Sequence, residues 1–283
     1  MVSPLSSGGS DRILNSLQQN RVNAQKSLTR IASSQRRAAA GDDPAGAAIS
    51  ARLRSEIRVL SQAAQNAETG GNFIRVAEGG LAAISDLLAR GRELSIQAAN
   101  GTLNPSQRQA LAQELDSIKN ETDRIAQSAE FNGQKLLDGS LASGSANRVD
   151  IQVGSTSGSE SQINLNVIDD AGAQALGIDN ADISSAESAR QTLDVFERAQ
   201  AKVVSMRGQV GTVANRLDSA ATKLGTTVEN LIQSDSQLSD ANLPEEITSL
   251  RQNLVQIQTS IRVLGIQSRQ NGQLVGRLLN TQG

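Results

Sequence analysis

Two rows of apolar residues, one in each half of the chain, repeat at an unbroken seven-residue spacing. The first row comprises Leu53, Leu60, Ala67, Ile74, Leu81 and Leu88, and the second comprises Phe196, Val203, Val210, Leu217, Leu224 and Leu231. A sustained repeat of this length is typical of helices that pair along a coiled-coil seam. The chain is therefore predicted to contain two long helices, each of which needs a partner along its length.

The composition excludes a thick core and most catalytic chemistry. Of the 283 residues, 37% are hydrophobic and only 1% aromatic, so seams lined by Ala and Leu are expected instead of a core built around large rings. The chain has no Cys and no His, which removes thiolate nucleophiles, imidazole bases and the usual zinc ligands. We therefore expect neither an enzyme nor a cofactor or metal site.

The charge pattern argues against nucleic acid and membrane as partners. Lys and Arg number 27 against 29 Asp and Glu, no basic block occurs, and no Trp or Tyr is available to stack on bases. No run of about 18 apolar residues could cross a membrane, so no membrane insertion is expected. The first ten residues do not resemble a signal peptide, so a secreted form would need another export route.

Proline positions and apolar spacing predict five substantial helices. Asp43-Pro44 and Asn104-Pro105 each have the pattern of an N-cap followed by Pro at the first helical position. The predicted helices cover about residues 10–35, 44–100, 106–128 and 184–234, with a last helix after a polar stretch that ends at Asn242. Gly70-Gly71 and Gly79-Gly80 interrupt the second of these helices and predict either bending or close approach of a neighbour.

The first and last helices both carry apolar seams, and the apolar face of the last helix is wider than one partner helix can cover. The expected packing residues are Leu14, Leu17, Leu28, Ile31, Ile247, Leu250, Leu254, Ile257, Ile261 and Leu264. In the last helix, Val255, Val263 and Ile266 widen the apolar face beyond a two-helix stripe. We therefore expect both terminal helices to pack against neighbouring subunits.

The apolar period changes from helical to alternating in the middle of the chain. Val149, Ile151 and Val153 alternate with polar residues, as do Ile163, Leu165 and Val167, on either side of a Gly- and Ser-rich loop. This pattern predicts a β-hairpin within a region of about residues 131–183. The Ser- and Thr-rich tip is a candidate for O-linked glycans, although a solvated hairpin tip needs no such explanation.

Several motifs, in order along the chain, resemble those of the bacterial flagellins, the subunits of the flagellar filament. These motifs are AAGDDPAGAAI ending at Ile49, RGRELSIQAANG from Arg90 to Gly101, NETDRI from Asn120 to Ile125 followed by Phe131–Gly133, LSDANLPEE from Leu238 to Glu246, and VGRLL from Val275 to Leu279. The resemblance implies a structural subunit that polymerises into the filament for motility. It also implies export through the flagellar secretion channel and an extracellular location.

The resemblance also implies a fold. The expected class is mainly α, with long antiparallel coiled-coil helices from both chain halves and a small β-hairpin region. Residues 1–43 and 243–283 would pair as an inner terminal-helix domain that includes Leu278 and Leu279, and residues 44–242 would form an outer core without large variable outward domains. The intrasubunit core of that outer part is expected at Leu53, Leu60, Ile74, Leu81, Leu88, Phe196, Val203, Val210, Leu217 and Leu224.

The partners implied by the resemblance begin with the chain itself, as a helical homopolymer. The other partners that the resemblance implies are a flagellar export chaperone and the filament cap and junction proteins. Arg90, Leu94 and Glu114 lie where the resemblance places a surface recognised by vertebrate Toll-like receptor 5. The alternative interpretation is that Arg90 and Glu114 form an ion pair while Leu94 belongs to the core.

Two other functions stay open on the sequence alone. Asp43-Pro44 also occurs in the hook–filament junction protein of the same family, and the heptads alone would fit a soluble coiled-coil adaptor. The chain departs from the family pattern at Gln35, where Gly is usual, and at Arg37, Asn242 and Pro244. These departures fall on the connections between the inner and outer parts.

Overall fold

The computed structural model describes residues 7–36 and 43–280, with side chains for 9–36 and 43–273. Helices predominate, as the seams predict. The helices are α1 (Ser7–Ser33), α2 (Pro44–Ala98), α3 (Pro105–Ser128), the one-turn α4 (Ala173–Leu176), α5 (Ala186–Ser239) and α6 (Leu243–Asn280). The strands are β1 (Glu130–Phe131), β2 (Gln134–Lys135), β3 (Asp150–Gln152) and β4 (Gln162–Asn164). The prediction of a mainly helical fold with a small β region is confirmed.

The chain divides into two compact units. The first draws on residues within Met1–Ser55 and Asn230–Gly283, and the second comprises Glu56–Glu229. The helices α2 and α5 each contribute residues to both units, because each passes from one to the other without a break.

In the first unit, α1 packs against α6 through small side chains. Ala24 and Ser27 are buried on α1, and small residues allow two helix backbones to approach closely. An ion pair joins the helices where Arg30 Nη1 lies 3.0 Å from Glu246 Oε1. The contact is therefore close, and it includes a charged pair near the end of α1.

A short backbone bridge closes the first unit where α1 ends. Ser34 has a φ of 54°, and its carbonyl accepts a hydrogen bond of 3.0 Å from Ala241 N. Arg36 N donates to Ser239 O at 2.8 Å, and Gln35 pairs with Asp240 in an antiparallel bridge. The residue with left-handed backbone is thus Ser34, directly before Gln35, and Arg37 lies outside the described residues.

The second unit has one continuous apolar core. The side chains come from both predicted seams and from the segment between them, including Ile74, Leu81, Phe196 and Val203. Phe73 and Phe131 meet edge to face, with ring centroids 5.8 Å apart. Aromatic pairs favour this geometry over a face-to-face stack.

The predicted helix starts are confirmed at the two prolines. Asn104 Oδ1 accepts a hydrogen bond from Gln107 N, and the Gln107 side chain accepts one from Asn104 N, which completes a capping box before Pro105. Asp43 Oδ1 accepts a bond of 2.9 Å from Gly46 N at the start of α2. Each cap satisfies a backbone donor that the first helical turn leaves free.

The glycine pairs of α2 serve close approach, and the helix runs through both of them. A Cβ at Gly80 would lie 2.6 Å from Leu137 Cδ1, and one at Gly70 would lie 3.0 Å from Ile151 Cγ1. Gly71 has only the side chain of Arg75 near this position, and Gly79 has nothing there. One member of each pair therefore makes room for the core.

Both β-elements are antiparallel hairpins. The predicted hairpin is confirmed in β3 and β4, where Ile151 pairs with Ile163. A second pair joins β1 to β2 through Asn132 and Gly133, whose φ values of 52° and 80° fit a type I′ turn. The two short strands were not predicted from the sequence.

The end of α5 was predicted too early. The polar stretch from about residue 234 was expected to separate the last two helices, but α5 continues to Ser239 and only residues 240–242 connect it to α6. In this stretch Asp235 accepts hydrogen bonds from Ser50 and from Arg54 Nε, the latter at 2.8 Å. These bonds connect the polar turns of α5 to α2.

Candidate self-assembly surface

The helix α6 leaves a wide apolar face in solvent. Val255 is 60% exposed, Ile261 56% and Ile266 55%, whereas branched side chains of this size are usually buried. The helix α1 adds Leu14, Val22 and Leu28 to the exposed large apolar residues. This unit therefore carries apolar surface that its own fold does not cover.

The predicted seam of α6 splits into two rows with different surroundings. Leu250, Ile257 and Leu264 are half-buried, whereas Ile247, Leu254 and Ile261 are exposed. Each row has a seven-residue spacing, so the two rows lie along adjacent lines of the same helix. Because α1 is the helix that packs closely on α6, we assign the half-buried row to that contact.

The helix α1 shows the same division. Leu17, Ala24 and Ile31 are half-buried or buried at seven-residue spacing, whereas Leu14 and Leu28 point to solvent. A groove of about 460 Å³ lies between the two helices, and its lining includes Ile13, Val255 and Val263. The unpartnered rows and this groove are thus neighbours.

The burial of ten of the twelve residues predicted to pack between subunits is described. Five of these ten are exposed and five are half-buried. The exposed ones are Leu14, Leu28, Ile247, Leu254 and Ile261, and the half-buried ones are Leu17, Ile31, Leu250, Ile257 and Leu264. The side chains of Leu278 and Leu279 lie outside the described residues. The sequence interpretation passed over Val22 because it lies off the 3/4 row.

The residues predicted for the intrasubunit core are mostly buried. Leu60, Ile74, Leu81, Leu88, Phe196, Val203, Val210 and Leu217 each have a relative exposure below a tenth. Leu53 and Leu224 are only half-buried. Among these residues, burial is thus incomplete at the start of the first row and toward the end of the second.

The three residues of the possible receptor surface differ in exposure. Arg90 lies on α2 and donates to Glu114 Oε1 of α3 through Nε at 2.8 Å, and its Nη1 lies 3.0 Å from Glu93 Oε2. The hydrogen bond to Glu114, followed by the one to Glu93, raises the pKa of Arg90. Leu94 is fully buried, so it is not part of an exposed surface in this fold.

A metal site and a membrane-spanning helix were each sought among the described residues. No group of three or more acidic side chains among them is placed to hold a metal ion. None of the described helices is both long and apolar enough to span a membrane. The long apolar rows are therefore the feature of these residues that needs a functional explanation.

Comparison with known families identifies the family of this chain. The model of the bacterial flagellin N-terminal helical region matches residues 10–142, and that of the bacterial flagellin C-terminal helical region matches residues 193–279. This chain belongs to the flagellin family. The residues between the two matches contain the β3–β4 hairpin, α4 and the first turns of α5.

Flagellin relatives span nearly the whole chain. The flagellin of Bacillus subtilis is 35% identical over 295 aligned residues, covering 94% of this chain and 96% of its own. The flagellar filament 30.7 kDa core protein of Treponema maltophilum is 32% identical, covering 87% of this chain and 88% of its own. A solved structure from Vibrio parahaemolyticus, described as a flagellar hook-associated protein, has a TM-score of 0.58, is 16% identical, and covers 70% of this chain and 100% of its own. That last likeness shows the fold alone.

The family assignment settles the class of function. This flagellin is a structural subunit that self-associates into the extracellular flagellar filament, and it is not an enzyme. The hook–filament junction protein is not favoured, because the full-length relatives are flagellins and filament core proteins.

Proposed function

We propose that the exposed rows of α1 and α6 are the surface through which flagellin subunits polymerise. The observation that carries the proposal is the line Ile247, Leu254 and Ile261, which stays in solvent beside the row that α1 covers. A second copy of the chain is the natural occupant, because a homopolymer repeats one interface along its length. A heterologous interface that does not close generates a helical filament.

In this proposal the two terminal segments and the central segment have different roles in the filament. Residues 1–43 and 243–283 form the inner part of the filament, and residues 44–242 form an outer core held together within each subunit. Support comes from burial: most large apolar residues of the second unit lie in one buried core, whereas many of those on α1 and α6 are exposed. Leu278 and Leu279, whose side chains lie outside the described residues, stay predicted packing residues.

Membership of the flagellin family supports a proposed export route and a proposed set of partners for the subunit. Export proceeds through the flagellar secretion channel, with a chaperone that covers the terminal apolar rows before assembly. The filament cap and junction proteins then bind the same helices. Assembly and chaperone binding therefore compete for one surface, so a variant defective in polymerisation through α6 also loses affinity for the chaperone.

A matched pair of substitutions tests the assembly surface. Val255 is 60% exposed on α6 and Val204 is 55% exposed on α5, so Val255→Gln and Val204→Gln remove the same side chain from equally exposed helical sites. Burial of one Val is worth about 1.5 kcal/mol, which corresponds to roughly a tenfold change in an equilibrium constant. Val255→Gln is expected to raise the critical concentration for polymerisation by about that factor.

The control and the contradicting result come from the same assay. Gln is a good helix former, so both variants keep the helicity of the parent chain by circular dichroism. A change for Val204→Gln as large as that for Val255→Gln would show that assembly does not depend specifically on the terminal helices.

Recognition by Toll-like receptor 5 is a second proposal, carried by the exposed pair Arg90 and Glu114. In this proposal the receptor contacts both charged groups, while the buried Leu94 fixes the spacing between α2 and α3. Arg90→Gln is expected to weaken the response of receptor-bearing reporter cells to monomer. The control Arg124→Gln removes another exposed arginine, which belongs to an i,i+3 pair on α3. No response to saturating wild-type monomer would refute the proposal.

A further inference from the structure

The chain contains the dipeptide Asn-Gly three times, in three different structural settings. These are Asn100-Gly101, Asn132-Gly133 and Asn271-Gly272. In such a dipeptide the glycine nitrogen can attack the asparagine side chain, since glycine has no Cβ to shield it and its backbone moves freely. The setting then decides which copy reacts.

The copy in α6 is held in a regular helix. Asn271 and Gly272 lie within Leu243–Asn280, where each backbone N–H donates to the carbonyl four residues earlier. The Gly272 nitrogen is therefore engaged with the Ser268 carbonyl, and the helical backbone cannot turn to bring it onto the side chain.

The copy in the β1–β2 turn is held by the strands on both sides. Asn132 and Gly133 both have positive φ, and the pairing of Phe131 with Gln134 fixes the ends of the turn. An ion pair of 2.7 Å between Lys135 Nζ and Glu130 Oε2 adds to this closure. Attack would require the turn to leave this conformation.

The copy after α2 has a free nucleophile and an oriented side chain. Asn100 and Gly101 are exposed, and among the described residues the Gly101 N–H donates no hydrogen bond. Asn100 Oδ1 accepts two hydrogen bonds from Thr102, one from its backbone N at 3.1 Å and one from Oγ1 at 3.0 Å. The side-chain carbonyl is thereby folded back across the Gly101 peptide.

We propose that Asn100 is a site of spontaneous deamidation and isomerisation in this flagellin. The Gly101 nitrogen loses its proton to solvent base and bonds to Asn100 Cγ, and the Cγ–Nδ2 bond then breaks to release ammonia. Water opens the resulting cyclic imide at either carbonyl and leaves aspartate or isoaspartate. The net change is the addition of one water and the loss of one ammonia.

The two Thr102 donors assist the slow step. As the nitrogen attacks, negative charge develops on Asn100 Oδ1, the oxygen that both donors already contact. Donors placed in advance on a developing oxyanion stabilise the transition state more than the ground state. Thr102 is therefore a positioning residue for this modification.

The modification would also change the turn between α2 and α3. Arg108 spans it by donating from Nε to Ala98 O at 3.1 Å and from Nη2 to Asn100 O at 3.0 Å. Isoaspartate routes the main chain through the side-chain carbon and displaces the second of these carbonyls. Older subunits would thus carry an added negative charge and a loosened turn.

Trypsin separates the three copies, so one digest compares them directly. Cleavage at Arg and Lys places them in peptides 93–108, 125–135 and 270–277. The folded full-length chain is aged at mildly alkaline pH, then digested, and each peptide is measured by mass spectrometry for conversion of amide to carboxyl. We expect Asn100 to convert several-fold faster than Asn132 or Asn271.

Two controls separate the structural effect from the dipeptide itself. The same peptides, digested first and aged afterwards, should react at similar rates. Thr102→Val should slow Asn100 several-fold in the folded chain but not in the free peptide, whereas Thr102→Ser should keep the parent rate. Equal rates for the three copies in the folded chain would overturn the proposal, and an unchanged rate in Thr102→Val would overturn the role of the threonine.

Discussion

Gly91 of α2 lies directly against the ring of Phe196 of α5, and a Cβ built on Gly91 would lie only 2.4 Å from Phe196 Cε1. Phe196 is fully buried, so its ring cannot move into solvent to make room. The two helices therefore approach each other closely at a glycine. Gly91 belongs to the RGRELSIQAANG motif, which was singled out for its resemblance to flagellins and not for its packing.

Gly91→Ala is expected to destabilise the chain. Overpacking a tight core typically costs about 1–3 kcal/mol, which outweighs the gain in helix propensity from Gly to Ala. The measurement is the free energy of unfolding of the monomer in urea, followed by circular dichroism.

Gly79→Ala is the matched control on the same helix. No atom lies within 4 Å of a Cβ at this position, so only helix propensity acts. The variant should be more stable than the parent by about 0.5–1 kcal/mol. A loss of stability at both glycines would contradict the packing account.

Ser34→Gly is expected to stabilise the first unit. Ser34 follows the last residue of α1 with a φ of 54°, in the left-handed region that costs other residues about 1–2 kcal/mol. The higher entropy of glycine in the unfolded chain offsets part of this, which leaves a gain of roughly 0.5–1 kcal/mol. Ser33→Gly, one residue earlier in α1, should destabilise instead. The assay is protection of the α1 amides from hydrogen exchange.

Thr192→Val is expected to cost more than the same change elsewhere on α5. The buried Thr192 Oγ1 accepts a hydrogen bond from Asp182 N at 3.1 Å and donates one to Asp182 O at 2.7 Å. Removing it leaves two backbone groups without these bonds, at a cost of about 1–3 kcal/mol. Thr212→Val at an exposed site should change the unfolding free energy by less than about 0.5 kcal/mol. Similar losses in the two variants would contradict this account.

Asp182 should make stability depend on acid pH. Hydrogen bonds from Ser184 lower the pKa of Asp182, so the folded state binds its proton less readily than the unfolded state. The stabilisation is present above the unfolded-state pKa and is lost as the pH falls through the folded-state value. Because the carboxylate is largely exposed, the effect should stay below about 1 kcal/mol. Asp182→Asn should flatten the acid side of the unfolding free energy plotted against pH.

Sequence periodicity gave the helices but not the full extent of their buried faces. The seven-residue rows place Leu81 and Leu88 correctly, because each helix has a partner along that line. Leu94 lies off the row and is buried because α2 also meets α3, as the bond from Arg90 to Glu114 shows. A single helical pattern cannot reveal how many neighbours a helix has.

Short segments escaped prediction because long-range contacts hold them. In the one-turn helix α4, Ala173 N donates a hydrogen bond to Asp123 Oδ1 of α3, and Ala175 O accepts one from Lys202 Nζ of α5. No local sequence pattern predicts such long-range partners. Likewise, the positive φ of Ser34 at the end of α1 accompanies a backbone hydrogen bond from Ala241 N to the Ser34 carbonyl, a long-range contact that no local pattern predicts.

The most direct test of the assembly surface uses the absence of native cysteine in this chain. A chain carrying Val255→Cys has one thiol, and its rate of maleimide labelling is compared between monomer and filament. Ser157→Cys, at the exposed hairpin loop, provides the control. We expect labelling at position 255 to become at least tenfold slower in the filament while position 157 stays reactive. Equal labelling of position 255 in monomer and filament would contradict the claim that α6 is buried between subunits.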